Sequence, residues 1–422
     1  MNPLLRDSRA QRLLIANTLG SIGSGVTIFA VPWLLVHLPD GNAAYRSITI
    51  ITTLALFAMM PAYGAWVDRH SRKTALLTSE VFGFVATTSM ALIGLWRGGF
   101  PPWQLMTIYF CGMMYYTLHY PAKFAFVQQI FDRSQYQALT GLMEVQGQTA
   151  MMIAGGIGGW MTEHAPLWAI LLIDASTYAF SFFLMATLRY EATHLKEAHV
   201  PPPGGIVGQL WHNIVTGWNW LRERPRIAWF LTCSLMPFIV VMVGNYLFPI
   251  YVAKTLHAGA TVFGAGEVVF AIGAVIAGLF LPRLLARTSA DVTIPGTMIV
   301  FTLGVVVLLS LRHSFFYLTA ALLLGFGNAG SRVARSALML HLVPNALMGR
   351  ITVFYHLLDR LLRTILVAAM AIIDFYGPPS GFAVLLGLMV FSIWGALATR
   401  RSIHASEAEL TATAAPVPAG QT

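Results

Sequence analysis

Twelve apolar stretches, each near the length that crosses a bilayer as a helix, govern what this chain can fold into. They run over 13–38, 46–67, 74–96, 103–130, 137–161, 167–188, 226–250, 260–283, 292–311, 314–340, 350–373 and 380–399. An α-helix rises ~1.5 Å per residue, so about 20 apolar residues span a hydrocarbon core of ~30 Å. Inside lipid every backbone N–H and C=O must be paired within its own segment, which makes the stretches helices. Only 10% of the residues are charged, against about 25% in soluble domains. The first stretch is too long for a cleavable leader and lacks a clear cleavage site, so it reads as a retained span. Cys111 and Cys233 both lie in apolar runs and give no disulfide framework.

One long polar break, 189–225, divides the stretches six and six. It holds three consecutive prolines, Pro201 to Pro203, which stop a helix. Beyond them Trp211, Ile214, Val215, Trp218 and Leu221 share one helical side, the pattern of an amphipathic helix on a membrane surface. The expected organisation is a helical bundle over 1–188, a cytoplasmic linker over 189–225, a second bundle over 226–400 and a disordered tail over 401–422. Of 26 lysines and arginines, seventeen fall in segments on the side of the N-terminus, four on the other side and five inside spans. The positive-inside rule then puts both termini in the cytoplasm. It also accounts for the net charge of +9 without a nucleic-acid partner.

The two halves resemble each other. AKFAFVQQIFDRSQYQAL (122–139) lies over ARSALMLHLVPNALMGRI (334–351), matching Lys123 with Arg335. GAWVDRHSRKT (64–74) lies over GLFLPRLLART (278–288), matching Arg69 with Arg283 and Lys73 with Arg287. Two matches at half-chain spacing point to duplicated six-span bundles.

The stretch after the second span, with Gly64, Asp68, Arg69, Arg72 and Lys73, resembles the cytoplasmic motif of the major facilitator superfamily; Ser71 replaces its usual second glycine. The resemblance implies an all-α membrane protein of twelve transmembrane helices in two pseudo-symmetric bundles, monomeric, in a bacterial-type cytoplasmic membrane. It further implies that these five residues control an inner gate through ion pairs and contact with a helix end. Residues 120–160 and 331–350 are similar to the enterobactin-exporter and macrolide-efflux branch. The fifth-span Gly-Pro pair common among drug antiporters is absent, while Gly155, Gly156, Gly158 and Gly159 remain to support tight helix packing.

Charges inside spans carry the functional reading. His356, Asp359, Arg360 and Arg363 stand at i, i+3, i+4 and i+7 on one helical face. Asn328, Arg332 and Arg335 repeat the pattern, as do His119 with Lys123 and Glu144 with Gln148. Counted from the nearest loops, these residues lie roughly 15–18 Å inside the membrane, where a charge needs a water-filled cavity or a partner. The resemblance places all four of these spans around a central cavity.

Five cations there, Lys123, Arg332, Arg335, Arg360 and Arg363, meet two acids, Glu144 and Asp359. Guanidinium groups grip carboxylates in bidentate fashion. The expected function is proton-coupled export of an anionic, polycarboxylate or siderophore-type small molecule. Arg332, Arg335, Arg360, Arg363, Lys123, Asn328 and His356 would bind it, and Glu144 or Asp359 would carry the proton. A multidrug or macrolide-type pump, or an importer of a similar anion, is the alternative. Structural pairs are the other reading: Asp359 with Arg363, and Arg332 or Arg335 with Glu144. Asp174 reads as structural; Glu80 and Glu267 are further acids inside spans. His119 and His356 suit either proton relay or plain hydrogen bonding. No Walker motif, metal-ligand spacing or catalytic constellation occurs, so the reading is a transporter without cofactor or metal, and not an enzyme.

Overall fold

The computed structural model describes residues 6–131, 135–189, 205–285, 287–372 and 378–414. Among them thirteen α-helices follow one another: α1 (Ser8–His37), α2 (Gly41–Arg69), α3 (Arg72–Arg97), α4 (Pro102–Ile130), α5 (Tyr136–His164), α6 (Leu167–Ala186), α7 (Gly205–Arg222), α8 (Pro225–Ile250), α9 (Ala260–Leu285), α10 (Ala290–Ser310), α11 (Ser314–Leu342), α12 (Asn345–Ile372) and α13 (Pro378–Ala414). Helices α1–α6 and α8–α13 coincide with the twelve apolar stretches; α7 is the amphipathic segment. Seven helices (α1, α3, α6, α8, α9, α10 and α13) are long and apolar enough, by length and composition, to cross a membrane. The other five run 28–29 residues, and four of them, α4, α5, α11 and α12, carry the polar faces read above.

Local sequence explains the helix ends. Asp7 caps α1, its carboxylate accepting from the Arg9 N–H at 2.8 Å. Ser71 caps α3 by accepting from the Thr74 N–H at 3.3 Å. The serine that departs from the family pattern thus has a job: it starts the third helix. Gly98 closes α3 in the left-handed region, φ 68°, which a side chain would strain. Pro102 occupies the first turn of α4, where its missing N–H is harmless.

The chain divides into two compact units. The first comprises 1–201, 248–271 and 367–374. In it α1 packs on α4, α5 and α6, and α3 on α4 and α6. One end of it holds an apolar cluster that includes Leu13, Leu76, Phe126, Leu139 and Met185. The second unit comprises 202–247, 272–366 and 375–422. In it α10 packs on α11 and α13, and α7 lies on the start of α12, with Trp218 against Phe354 at 5.8 Å between rings. Trp211 and Trp218 leave much of their rings exposed, as suits a helix at a lipid interface.

One expectation is corrected. The segment 401–414, read as the start of a disordered tail, continues α13 as helix to Ala414. Ala405, Glu407, Ala408, Glu409 and Leu410 are good helix formers, and the preceding turn is anchored by Arg400, whose Nε donates to Asp291 at 2.9 Å. The triple proline, residues 132–134 and residues 415–422 lie outside the described residues.

Candidate functional site

At the motif stretch, α2 ends at Arg69 and α3 begins at Arg72. The surroundings of Gly64, Asp68 and Arg69 lie outside the described residues. The two following bases are clear. Arg72 donates to the Ala125 carbonyl in α4 at 3.0 Å. Lys73 donates to the Ala186 and Leu188 carbonyls at 2.6 and 2.7 Å. These last carbonyls close α6, so the lysine satisfies acceptors that a helix end leaves open and neutralises its partial negative charge. Arg9 does the same for α4, donating to the Ile130 carbonyl at 2.8 Å. The Arg72 and Lys73 bonds tie α3 to α4 and α6 inside the first unit.

The glycines of α5 also act as the sequence implies. A Cβ on Gly159 would stand 2.8 Å from the Ala260 carbonyl oxygen, and one on Gly155 would collide with Glu267 Cβ at 2.5 Å. Thus α5 meets the first part of α9 backbone to backbone. Beside this seam Glu163 accepts from the Thr261 N–H at 2.8 Å and its hydroxyl at 2.6 Å.

In the second unit, α11 and α12 bring together the arginines that the periodicity singled out. Arg363 donates to Asp359 at 3.3 Å, one turn away. Arg335 donates to the Ser234 carbonyl of α8 at 2.9 Å and has Arg332 and Asp359 as charged neighbours. Arg360 has Arg363 and Asp359 as its neighbours, and its guanidinium makes no hydrogen bond to another described residue. Asp359 is buried, with Oδ1 unpaired; Asn328 is buried, its Oδ1 unpaired as well. His356 is exposed on the same helix. Arg335, Arg360 and Arg363 therefore surround one carboxylate, Asp359. The intrahelical pair Asp359–Arg363 exists, and Arg335 and Arg360 lie beside the same carboxylate.

Lys123 and Glu144 belong to the first unit. Lys123 is buried, its ammonium 5.1 Å from the Tyr120 ring centre and 5.8 Å from that of Phe124. The Glu144 side chain lies outside the described residues, so its pairing is unassigned.

A polar network in the first unit was not foreseen as a unit. Glu80 of α3 is fully buried, and its Oε1 faces His119 Nδ1 at 3.1 Å. Tyr115 and Ser181 donate to the same oxygen at 3.3 Å each. Asp174 of α6, also buried, accepts from Thr27 of α1 at 2.6 Å. The spacing Asp174, Tyr178, Ser181 puts three polar groups on one face of α6. That was the available signal, hidden because each helix supplies only a part.

A model of the Major Facilitator Superfamily matches residues 13–367. The chain belongs to the major facilitator superfamily. Its twelve spanning helices form the two six-helix bundles of that fold. Among its relatives is the multidrug efflux pump Tap of Mycobacterium tuberculosis, 23% identical over 292 residues, covering 67% of this chain and 68% of that protein. Macrolide efflux protein A of Enterococcus faecalis is 22% identical, covering 57% and 72%. Tetracycline resistance protein, class C, of Escherichia coli is 25% identical, covering 63% and 64%. Among solved structures, a bacterial homologue of the iron transporter ferroportin in its inward-facing state superposes with TM-score 0.67 at 15% identity, over 94% of this chain and 98% of that one. The peptide transporter POT gives 0.68 at 13% identity, over 93% and 95%. This superfamily member is accordingly a multi-pass membrane protein and a secondary transporter of small molecules.

Proposed function

We propose that this chain is a proton-coupled exporter of anionic small molecules, of polycarboxylate or siderophore type, in a bacterial cytoplasmic membrane. The observation that carries the reading is the arginine face of α11 and α12: the guanidinium groups of Arg335, Arg360 and Arg363 around one carboxylate, Asp359, in helices embedded in a membrane. A charge held there needs a counter-charge, and a carboxylate substrate supplies it with bidentate geometry. Arg360, which holds no hydrogen bond to another described residue, is the first anchor; Arg332, Arg335 and Arg363 extend the surface. Asn328, His356 and Lys123 are further contacts. Glu144 and Asp359 are the carboxylates of these four helices available to carry a proton.

The names of the relatives support a second reading, a multidrug or macrolide-type pump in which the arginines gate. A thermal-shift panel on the purified protein separates the two, because a ligand that binds only the folded state raises the melting temperature by mass action. Citrate and citrate-based siderophores are compared with erythromycin and ethidium, using wild type, Arg332→Gln and Arg360→Gln. Stabilisation by the polyanions that is lost in both variants supports the anion site. Stabilisation by erythromycin or ethidium, unchanged in the variants, refutes it and leaves the drug-efflux reading.

A further inference from the structure

We propose that Glu80, His119 and Asp174 form the proton-binding site of the first helix bundle, the one that takes up the ion driving transport. The inference rests on the transporter reading above but not on the nature of its substrate. It adds a site in α1, α3, α4 and α6 to the carboxylates Glu144 and Asp359 named above, of which Asp359 pairs with Arg363.

The geometry is that of a shared-proton cluster. Glu80 and Asp174 are both almost wholly buried, 0% and 1% exposed. Each pairs one carboxylate oxygen and leaves the other, Glu80 Oε2 and Asp174 Oδ1, with no partner in the described structure. Asp174 lines a small cavity together with Ser24, Thr27, Thr87, Cys111 and Tyr178. Tyrosines connect the two acids: Tyr115 stacks on His119 with ring centres 5.0 Å apart and meets Tyr178 edge-on at 4.6 Å. His119 Nδ1 also lies 3.3 Å from the Ser79 hydroxyl and 3.2 Å from that of Tyr115.

The charges facing the cluster can be counted helix by helix. Helix α1 contributes Asn17, Ser24 and Thr27, none of them ionisable. Helix α3 contributes Glu80 and Ser79. Helix α4 contributes His119, Tyr115 and Tyr116, with Lys123 one turn further along the same helix. Helix α6 contributes Asp174, Tyr178 and Ser181. Two acids thus share one imidazole. With all three ionised the cluster holds one uncompensated buried negative charge, which a low-dielectric interior disfavours. One added proton, on Asp174 or shared along the Glu80–His119 contact, makes it neutral. The titration belongs to the cluster rather than to one residue. Among the described residues no three His, Cys, Asp or Glu side chains converge as metal ligands do, so the ligand that fits is a proton. His119 and Lys123 are one turn apart on α4, so a change of charge at the cluster is felt at the cation proposed to face substrate.

The test is infrared difference spectroscopy of the purified full-length protein, titrated in choline buffer and read at the carbonyl stretch of a protonated carboxylic acid. Wild type is expected to show a band that appears as pH falls, when the cluster takes up its proton. Glu80→Gln and Asp174→Asn should each remove or displace it. Ser181→Ala, a gentle change that deletes one donor to the Glu80 carboxylate, should move the midpoint to higher pH. A band unmoved in all three variants overturns the proposal, as does its abolition by sodium at constant pH, which would mark a metal-cation site. If Glu80→Gln or Asp174→Asn fails to fold, the Ser181→Ala midpoint alone decides. In proteoliposomes, the ratio of gradient-driven to counterflow flux of labelled citrate or erythromycin should fall toward one in Asp174→Asn. An unchanged ratio overturns the coupling role. Flux of neither probe in wild type removes the transport reading, while the infrared band still decides the site.

Discussion

Gly159→Ala isolates the seam between α5 and α9. The new Cβ would stand 2.8 Å from the Ala260 carbonyl oxygen, with the Gly264 and Thr261 Cα atoms at 3.2 and 3.3 Å. Ordinary van der Waals contact begins near 3.4 Å, so the two helices must part by roughly 0.6 Å, and every close neighbour is backbone that cannot swing aside. Overpacking of this kind costs ~1–3 kcal/mol. Alanine also favours the helix by ~0.5–1 kcal/mol over glycine, which confuses a single variant. Gly147→Ala is the control: it lies in the same helix, and a Cβ there meets nothing within 4 Å. Helix propensity cancels between the two. Unfolding titrations with SDS in mixed micelles should place Gly159→Ala ~1–3 kcal/mol below Gly147→Ala. Equal midpoints would refute backbone-to-backbone packing at this seam.

Three further outcomes are expected. Lys73→Ala removes both hydrogen bonds to the α6 terminus and should lower stability by ~1–2 kcal/mol, discounted for partial exposure. Lys73→Arg should keep most of it in the same SDS titration. Arg400→Gln leaves the buried Asp291 with the Ser289 hydrogen bond and with His404, 3.6 Å away; a loss of ~1–2 kcal/mol is expected, below the ~3–5 kcal/mol of a fully buried broken pair. Adding Asp291→Asn should recover part of that loss. Arg9 holds the Asp7 carboxyl below its usual range, chiefly through its side-chain hydrogen bond. A depressed folded-state value means that this contribution is present above the unfolded carboxylate range and fades as pH falls through the folded one. Asp7→Asn should therefore lower stability at neutral pH, leave the acid end nearly unchanged, and so flatten the acid limb of the stability–pH profile.

Much of the fold was legible because a spanning helix declares itself by length and apolarity. The boundaries drifted where other chemistry decides. Helix α1 begins at Ser8 rather than 13 because Asp7 caps it ahead of the apolar run. Helix α13 passes 399 because its continuation is polar yet helix-forming. The arginine face was readable for a simple reason: its members lie on two helices, at spacings a helical wheel captures. The Glu80 network was not. Its hydrogen bonds join residues 35, 101 and, for Asp174 with Thr27, 147 positions apart, and no local period encodes which faces of α1, α3, α4 and α6 will meet. Glu80, His119 and Asp174 were each visible as isolated polar residues. Their convergence is a property of packing.

The make-up of the first unit has a consequence for biogenesis. It draws on 248–271 and 367–374 as well as 1–201. Its contact set therefore stays incomplete until the ribosome has passed residue 374. At ~5–20 residues per second, the interval after residue 201 is on the order of 10–30 s. For the first part of that interval, until residues 260–267 of α9 are made about 3–13 s after residue 201, the early helices sit in the bilayer with the seam of α5, Gly155 to Gly159, still open. A nascent chain stalled between those points should be selectively sensitive to insertion quality control, and the glycine seam is the surface a membrane chaperone would have to cover.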